Sequence, residues 1–423
     1  MSIGAMIQEA NEKVVQTILN GQPFLTDVVP AHTVIPILKD KVLLHAGPPI
    51  AYHEMTGPMK GAAIGAVIFE QWTDDYEEAE QMLERGEVTF TPCHHVNAVG
   101  PMGGITSGHM PVLVVENRNG SAKAYCTMNE GIGKVMRFGA NDDEVISRLH
   151  WMKDVLGPVL SKTLKETGEG VNLNVIISKA ITMGDEFHQR NIAASVLLLK
   201  ELAPYLMLAE IEDTERRDVL QFLADTDQFF LNVMMATCKA VLDEARQHEA
   251  GTIVTAMTRN GKEFGIRISG MGDEWFTAPV NTPEGLFFTG YSQDDANPDI
   301  GDSAITETYG VGGMAMVAAP GVTRFLGRAG ASEAQAISEE MIEICDRHNS
   351  NLSIPSWDFQ GACVGIDIRK VVETGITPII NTGIAHKNPG IGQVGAGTVR
   401  APLACFEKAL EAYAEKLGLV QHA

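Results

Sequence analysis

The sequence predicts an α/β protein of mixed α+β type with more than one domain, in which mixed-sheet N- and C-terminal parts flank a central helical bundle. Three observations predict this. The 423 residues exceed what one ordinary core accommodates. Hydrophobic residues make up 45% and charged residues 20%, which supplies enough apolar side chain for a sizeable interior. The hydrophobic period also changes along the chain, from mixed strand and helix signals to long helical runs and back. The resulting parts are 1–140 (α/β), 141–250 (helical) and 251–423 (α/β with a Gly-rich loop).

The elements follow in order. Ala5 to Leu19 has helical spacing and stops at Gly21-Gln22-Pro23. Lys41 to Ala46 reads as a buried strand. Gly57-Pro58 opens an apolar helix to Phe69, and Asp74 to Arg85 is an acidic one. Val88 to Thr91 is strand-like and precedes a Gly/Pro/His-rich loop from Pro92 to Pro111. Val112 to Glu116 and Ala122 to Thr127 flank Asn117-Arg118-Asn119-Gly120, a hairpin signal. Asp142 to Lys165, Glu186 to Leu202 and Arg216 to Arg246 are helical, with a β-like run at Gly168 to Ile177 and a break at Pro204. Thr252 to Arg259 and Glu263 to Ser269 form a second hairpin across Asn260-Gly261. Phe276 to Val280, Gly285 to Tyr291, Cys363 to Ile368 and Ile376 to Asn381 add strands; Ser332 to His348 and Ala401 to Leu417 add helices.

The formal net charge of −22, without any basic stripe, argues against nucleic acid and against anionic membranes. An anionic substrate therefore needs a local positive site. The six cysteines show no C-x-x-C pair or disulfide framework, the N-terminus lacks a signal-peptide pattern, and no stretch approaches the roughly 18 apolar residues of a membrane span. Reduced thiols and a cytoplasmic location are the expectation.

Three constellations carry chemistry. The loop Pro92-Cys93-His94-His95, continuing to Gly103-Gly104, follows a strand; Cys93, His94 and His95 offer a nucleophile, a base or a metal ligand, and the paired glycines let backbone approach a ligand. Met183 to Asn191 reads as a helix start: Asp185 caps it, Glu186 and Arg190 share a face, and His188 and Asn191 stand out before an apolar run. Asn381 to Gly397 contains a formal G-x-G-x-x-G at Gly390, Gly392 and Gly395. No βαβ unit follows it, so NAD binding is rejected. What remains is a set of backbone N–H groups at a helix start, with His386, Lys387 and Gln393 beside them, suited to phosphate or carboxylate. Lys134 and Arg137 supply further cations, and Arg190 or Arg137 can grip a carboxylate. Gly301-Asp302-Ser303, followed by Thr306, Glu307 and Tyr309, reads as a helix cap. H-E-x-x-H and G-x-S-x-G are absent.

Five segments also resemble a known family. PCHHVNAVGPMGG, KAITMGDEFHQRN, TRNGKEFGIRISGMGDEWFTAP, GDSAITETYGVGG and NTGIAHKNPGIGQVGAG occur in this order, and together they resemble the AllG-like family over essentially the whole chain. The resemblance implies a component of oxamate carbamoyltransferase in allantoin catabolism, a branch of purine degradation. That enzyme moves a carbamoyl group reversibly between oxalurate and phosphate, giving oxamate and carbamoyl phosphate. The resemblance also implies partner subunits, one of them similar to FdrA, and it implies no cofactor. The transcarbamylase motifs Ser-Thr-x-Arg-Thr and His-Pro-x-Gln are absent, so shared chemistry is convergent. Two readings compete with a transferase site: a metal-dependent hydrolase or lyase using His94, His95, Asp185 and His188, and a non-catalytic scaffold subunit. A homodimer is the default oligomer on symmetry grounds.

Overall fold

The computed structural model describes residues 2–325 and 330–419. The first helix, Ile3–Leu19, is capped by Ser2 and turns Val14, Val15 and Ile18 inward. The strand after it, Pro23–Pro30, is absent from the expectations above. It nevertheless holds together a sheet ordered Ala98–Val99, Lys123–Thr127, Pro111–Asn117, Pro23–Pro30, Val171–Asn172. Its register against Pro111–Asn117 shifts between Leu25 and Asp27, so the buried positions are Leu25 and Val28 rather than a strict alternation.

Both expected hairpins form. Pro111–Asn117 pairs antiparallel with Lys123–Thr127, and Val254–Asn260 with Glu263–Ile268. Gly261, at φ +82°, makes the second turn. This second pair is the middle of a sheet ordered Phe276–Pro279, Glu263–Ile268, Val254–Asn260, Ile300–Gly301. Val42–His45 and Thr89–Pro92 run parallel, and the helices Gly57–Phe69 and Tyr76–Glu84 lie between them in sequence.

The helical middle differs in detail from its expectation. The β-like run at 168–177 yields only the two-residue strand Val171–Asn172, and Leu173–Thr182 is a helix. The Asn172 side chain accepts from Asn174 N, and Ile176, Ile177, Ala180 and Ile181 bury at helical spacing. Pro204 lies inside the helix Ile192–Leu208 instead of ending a segment. The long run 216–246 breaks into Asp213–Asp225 and Phe229–Arg246. The last of these is buried around almost its whole circumference, packed on Ile3–Leu19, Pro111–Asn117 and Lys123–Thr127. The main apolar core accordingly contains side chains from the first 140 residues and from the helical region together.

Two further corrections concern the C-terminal part. The helix Ala331–Glu343 stops short of His348, because Cys345–Ile354 is a strand paired with Gln360–Ile366. The Gly-rich segment does not open a helix. Gln393–Arg400 is a strand between Ile379–Ala385 and Glu284–Phe287, and the closing helix begins only at Leu403. Gly390 (φ +83°) and Gly392 (φ +106°) make the hairpin turn. Gly395 and Gly397 let the neighbouring strand lie close, since a Cβ on Gly397 would stand 2.2 Å from the Glu284 carbonyl.

All six cysteines are free and buried. Among the described residues, no helix is long and apolar enough to cross a membrane.

Gly310 ends the short helix Ile305–Tyr309 at φ +107°, where an added Cβ would meet the Cys363 carbonyl at 1.9 Å. Gly310→Ala is expected to cost roughly 2–5 kcal/mol, combining a left-handed penalty of about 1–2 with overpacking of about 1–3. Urea unfolding of the variant checks this.

Candidate active site

The segment 185–191 is a loop, not a helix start, so the expected one-face pairing of Glu186 with Arg190 does not occur. Asp185 still caps: its carboxylate accepts from Ala193 N (3.2 Å) and Ala194 N (2.7 Å) at the head of Ile192–Leu208. Glu186 turns inward and is fully buried. One of its oxygens accepts from the backbone N–H groups of His188 (3.0 Å), Gln189 and Arg190 (2.6 Å), and the other from Asn381 Nδ2 at 2.9 Å. Burial pushes the Glu186 carboxyl pKa up, opposed by His188 and these donors. The loop that carries His188 is thereby folded around a carboxylate.

His188 is buried and directs Nδ1 at Glu307, 2.8 Å from Oε1 and 2.9 Å from Oε2. Glu307 is itself held by Gly313 N (2.8 Å), Asn381 N (3.2 Å) and the Thr306 hydroxyl (2.9 Å). A carboxylate at Nδ1 fixes the proton there and leaves Nε2 with its lone pair free. The pair has the chemistry of a general base.

The imidazole lines a cavity of ≈ 230 Å³. Its other polar walls are Arg137, Gln189, Gln228, Ser303 and Gln393; Met102, Phe138, Leu231 and Phe288 are among the apolar ones. Arg137 is buried. Its Nη2 donates to the Gly131 carbonyl, and Nη1 has no partner among the described residues. Its position is set by Glu130, whose carboxylate accepts from Met136 N (2.7 Å) and Arg137 N (3.2 Å). Burial lowers the guanidinium pKa and Glu130 opposes that, but an arginine in such a setting stays charged at neutral pH. A buried cation, a base and several amides therefore line one small cavity.

The structure thus brings together His188, Arg137 and Gln393 of the candidates. The remaining candidates lie elsewhere. Gly103 donates to the Arg137 carbonyl at 3.0 Å, and Gly104 (φ +66°) packs against Ala46, so both serve backbone packing behind the cavity. Asn191 donates to the His188 carbonyl (3.3 Å) and to Gln228 (3.1 Å), which positions two lining residues. Arg190 is partly exposed and pairs with Asp185 at 3.4 Å. Lys134 is exposed and engaged by Asp142. Lys387 donates to the Asp294 carbonyl, while His386 accepts from Asn388 N at 2.9 Å with Asp295 3.7 Å away. Gly390 and Gly392 are turn residues, as above, so the anticipated helix-start cradle for phosphate is not built.

His94 is buried with Asp302 at 3.6 Å and the Trp275 ring at its edge, and His95 accepts from Trp275 Nε1 at 2.9 Å. Cys93 is buried, and burial raises its thiol pKa, which makes it a poor nucleophile. The metal reading needed His94, His95, Asp185 and His188 at one point, and these four have separate partners. Among the described residues no group of three or more His, Cys, Asp or Glu side chains is arranged to hold a metal.

Glu307 is the residue that sequence reasoning missed, having been assigned to a helix cap. Its one signal is that it is the lone carboxylate on a five-residue helix that is buried throughout.

Residues 88–303 match the family model described as oxamate carbamoyltransferase subunit AllG. The chain is 61% identical over 414 residues to the Escherichia coli (strain K12) protein named oxamate carbamoyltransferase subunit AllG, covering 98% of this chain and 99% of that one. It is 44% identical over 413 residues to the uncharacterized protein YahG of the same strain, covering 98% and 87%. A crystal structure of a conserved protein of unknown function from Enterococcus faecalis V583 superposes with a TM-score of 0.95 at 45% identity, covering 98% and 99%. The likeness therefore spans both the segments that build the cavity and the sheets that carry them, and the chain belongs to the AllG family.

Proposed function

We propose that this chain is a subunit of an oxamate-type carbamoyltransferase, and that the cavity receives the small carboxylate substrate. The observation that carries this reading is the buried Arg137 with an unused Nη1, on the same ≈ 230 Å³ cavity as the Glu307-held His188. In the forward direction the oxamate carboxylate pairs with Arg137, and its amide nitrogen lies toward His188 Nε2. The nitrogen attacks the carbamoyl carbon of carbamoyl phosphate, a C–N bond forms, and the C–O bond to phosphate breaks with its electron pair leaving on phosphate. The nitrogen's proton passes to His188. Gln228, Ser303 and Gln393 are the polar groups at hand for the carbonyl oxygens. Arg137, the one arginine or lysine among the described residues that line the cavity, suits a monocarboxylate better than a phosphoryl dianion. We further propose that partner subunits, one of them FdrA-like, complete the enzyme, and that it works in the cytoplasm.

The test is steady-state kinetics of the complex reconstituted with its partner subunits. Arg137→Lys keeps the charge but loses the fork, so KM for oxamate is expected to rise roughly 10- to 100-fold, the loss of one charge-assisted hydrogen bond, with a smaller change in kcat. Unchanged KM in an assembled, folded complex would remove the carboxylate from this cavity.

A further inference from the structure

The His94-His95 pair and the stretch Asp273-Trp275, which lies inside one of the family segments quoted above, take no part in the cavity. They converge on a second polar centre. The helix Phe229–Arg246 contributes Lys239 and Arg246, and the strand Glu263–Ile268 contributes Arg267. Lys239 Nζ and Arg246 Nε share one oxygen of Asp243, at 2.7 and 3.2 Å. Arg246 also pairs with Asp273, which Arg267 Nη1 approaches only to 3.6 Å.

Arg267 is under-bonded. Its side chain is 2% exposed, yet Nε and Nη1 have no hydrogen-bond partner among the described residues. A second fully buried arginine, Arg259, has acceptors for every guanidinium nitrogen. A buried guanidinium with idle donors costs free energy unless an acceptor arrives. The Trp275 ring stacks on Arg267, 4.1 Å from Cζ, and is itself held by its hydrogen bond to His95. Stacking occupies the face of the guanidinium and leaves the edge for a planar or tetrahedral oxyanion.

We propose that Arg246 and Arg267, backed by Lys239, form a second oxyanion site that takes a phosphoryl-type dianion in place of the Asp273 carboxylate. Asp273 is 75% exposed and sits between Gly270 (φ +82°) and Trp275, next to Gly272 (φ +62°), around whose Cβ position there is open space. The exposed tip, Gly272 to Glu274, can swing outward while Met271 and Trp275 stay packed. Once Asp273 leaves, three cations outnumber the Asp243 and Asp302 carboxylates that act on them, and an incoming oxyanion restores the balance. Asp302 does not fill this role, since it is committed to Gly47 N (3.0 Å), Gly100 N (2.9 Å) and the Thr258 hydroxyl. The site stands apart from the cavity and does not depend on how that cavity is read.

The experiment is isothermal titration of inorganic phosphate into the full-length chain and three variants, each checked for native near-UV circular dichroism. Asp273→Ala is expected to bind phosphate about tenfold more tightly than wild type, and Arg246→Gln about tenfold more weakly. Arg137→Gln, in the cavity, leaves phosphate affinity unchanged. Absence of saturable binding to Asp273→Ala overturns the proposal. So does binding that is lost in Arg137→Gln but indifferent to the other two, which would place phosphate in the cavity. Equal affinity for acetate overturns the dianion assignment.

Discussion

Glu307→Gln is expected to lower kcat of the reconstituted transferase by roughly 10²–10⁴, the range for losing a positioned general base. The geometry dictates which way the amide sits. Oε1 receives two fixed backbone donors, Gly313 N at 2.8 Å and Asn381 N at 3.2 Å, so a glutamine must place its carbonyl there. Its NH₂ then occupies the Oε2 position, beside the Thr306 hydroxyl and 2.9 Å from His188 Nδ1. Nδ1 lies 2.8 Å from the Oε1 position and 2.9 Å from the Oε2 position, so in the variant a neutral carbonyl and an NH₂ replace the carboxylate around it. Neither balances the positive charge that His188 gains on taking a proton, so the imidazole becomes a weaker base. Shape, backbone bonds and packing survive, so the variant should fold and assemble normally. His188→Gln should cost a similar factor, and the double variant little more than either single one, because the two residues act as a unit. Full kcat in an assembled Glu307→Gln complex would make the pair structural.

The sequence exposed some of this and concealed the rest for identifiable reasons. The two hairpins were legible because alternation and Asn-Gly turn chemistry are local properties. Pro23–Pro30 was hidden by the bulge at Asp27, which breaks the alternation that marks a strand. His188 and Arg137 stood out as polar residues in apolar or Gly-rich company. Glu307 did not, since its meaning arises only where three distant segments (186–188, 306–313 and 381) meet. In the 390s, glycines near His386 and Lys387 suggested an anion cradle, but the same glycines serve a positive-φ turn and close strand packing, and spacing does not separate those uses. The charge cluster of Arg246, Arg267 and Asp273 was equally invisible, because helix and strand residues separated by a turn carry no common period.

The largest effect on stability is expected at Arg259. The side chain is fully buried, and all its N–H groups are directed at acceptors. Nε and Nη2 pair with Asp299 (2.7 and 3.1 Å), Nη1 bonds the Gly301 carbonyl (2.6 Å) and approaches Ser303 Oγ (3.4 Å), and Nη2 also reaches Thr382 Oγ1 (3.2 Å). The residue thus joins Val254–Asn260 and Ile300–Gly301 to Ile379–Ala385 in another sheet, and it anchors the segment that carries cavity-lining Ser303. Arg259→Met fills much of the volume but leaves Asp299 buried with the Thr382 hydroxyl, 2.8 Å away, as its remaining side-chain partner. Breaking a buried pair on one side costs about 3–5 kcal/mol, because the remaining charge stays desolvated. Removing both charges, in Arg259→Met with Asp299→Leu, should recover a large part of that loss, whereas an exposed pair such as Lys13–Glu9 should show almost no coupling. Urea unfolding of the single and double variants gives the coupling directly. A loss under about 1 kcal/mol for Arg259→Met would mean that water reaches Asp299, and that the two sheets are held together by their apolar contacts rather than by this arginine.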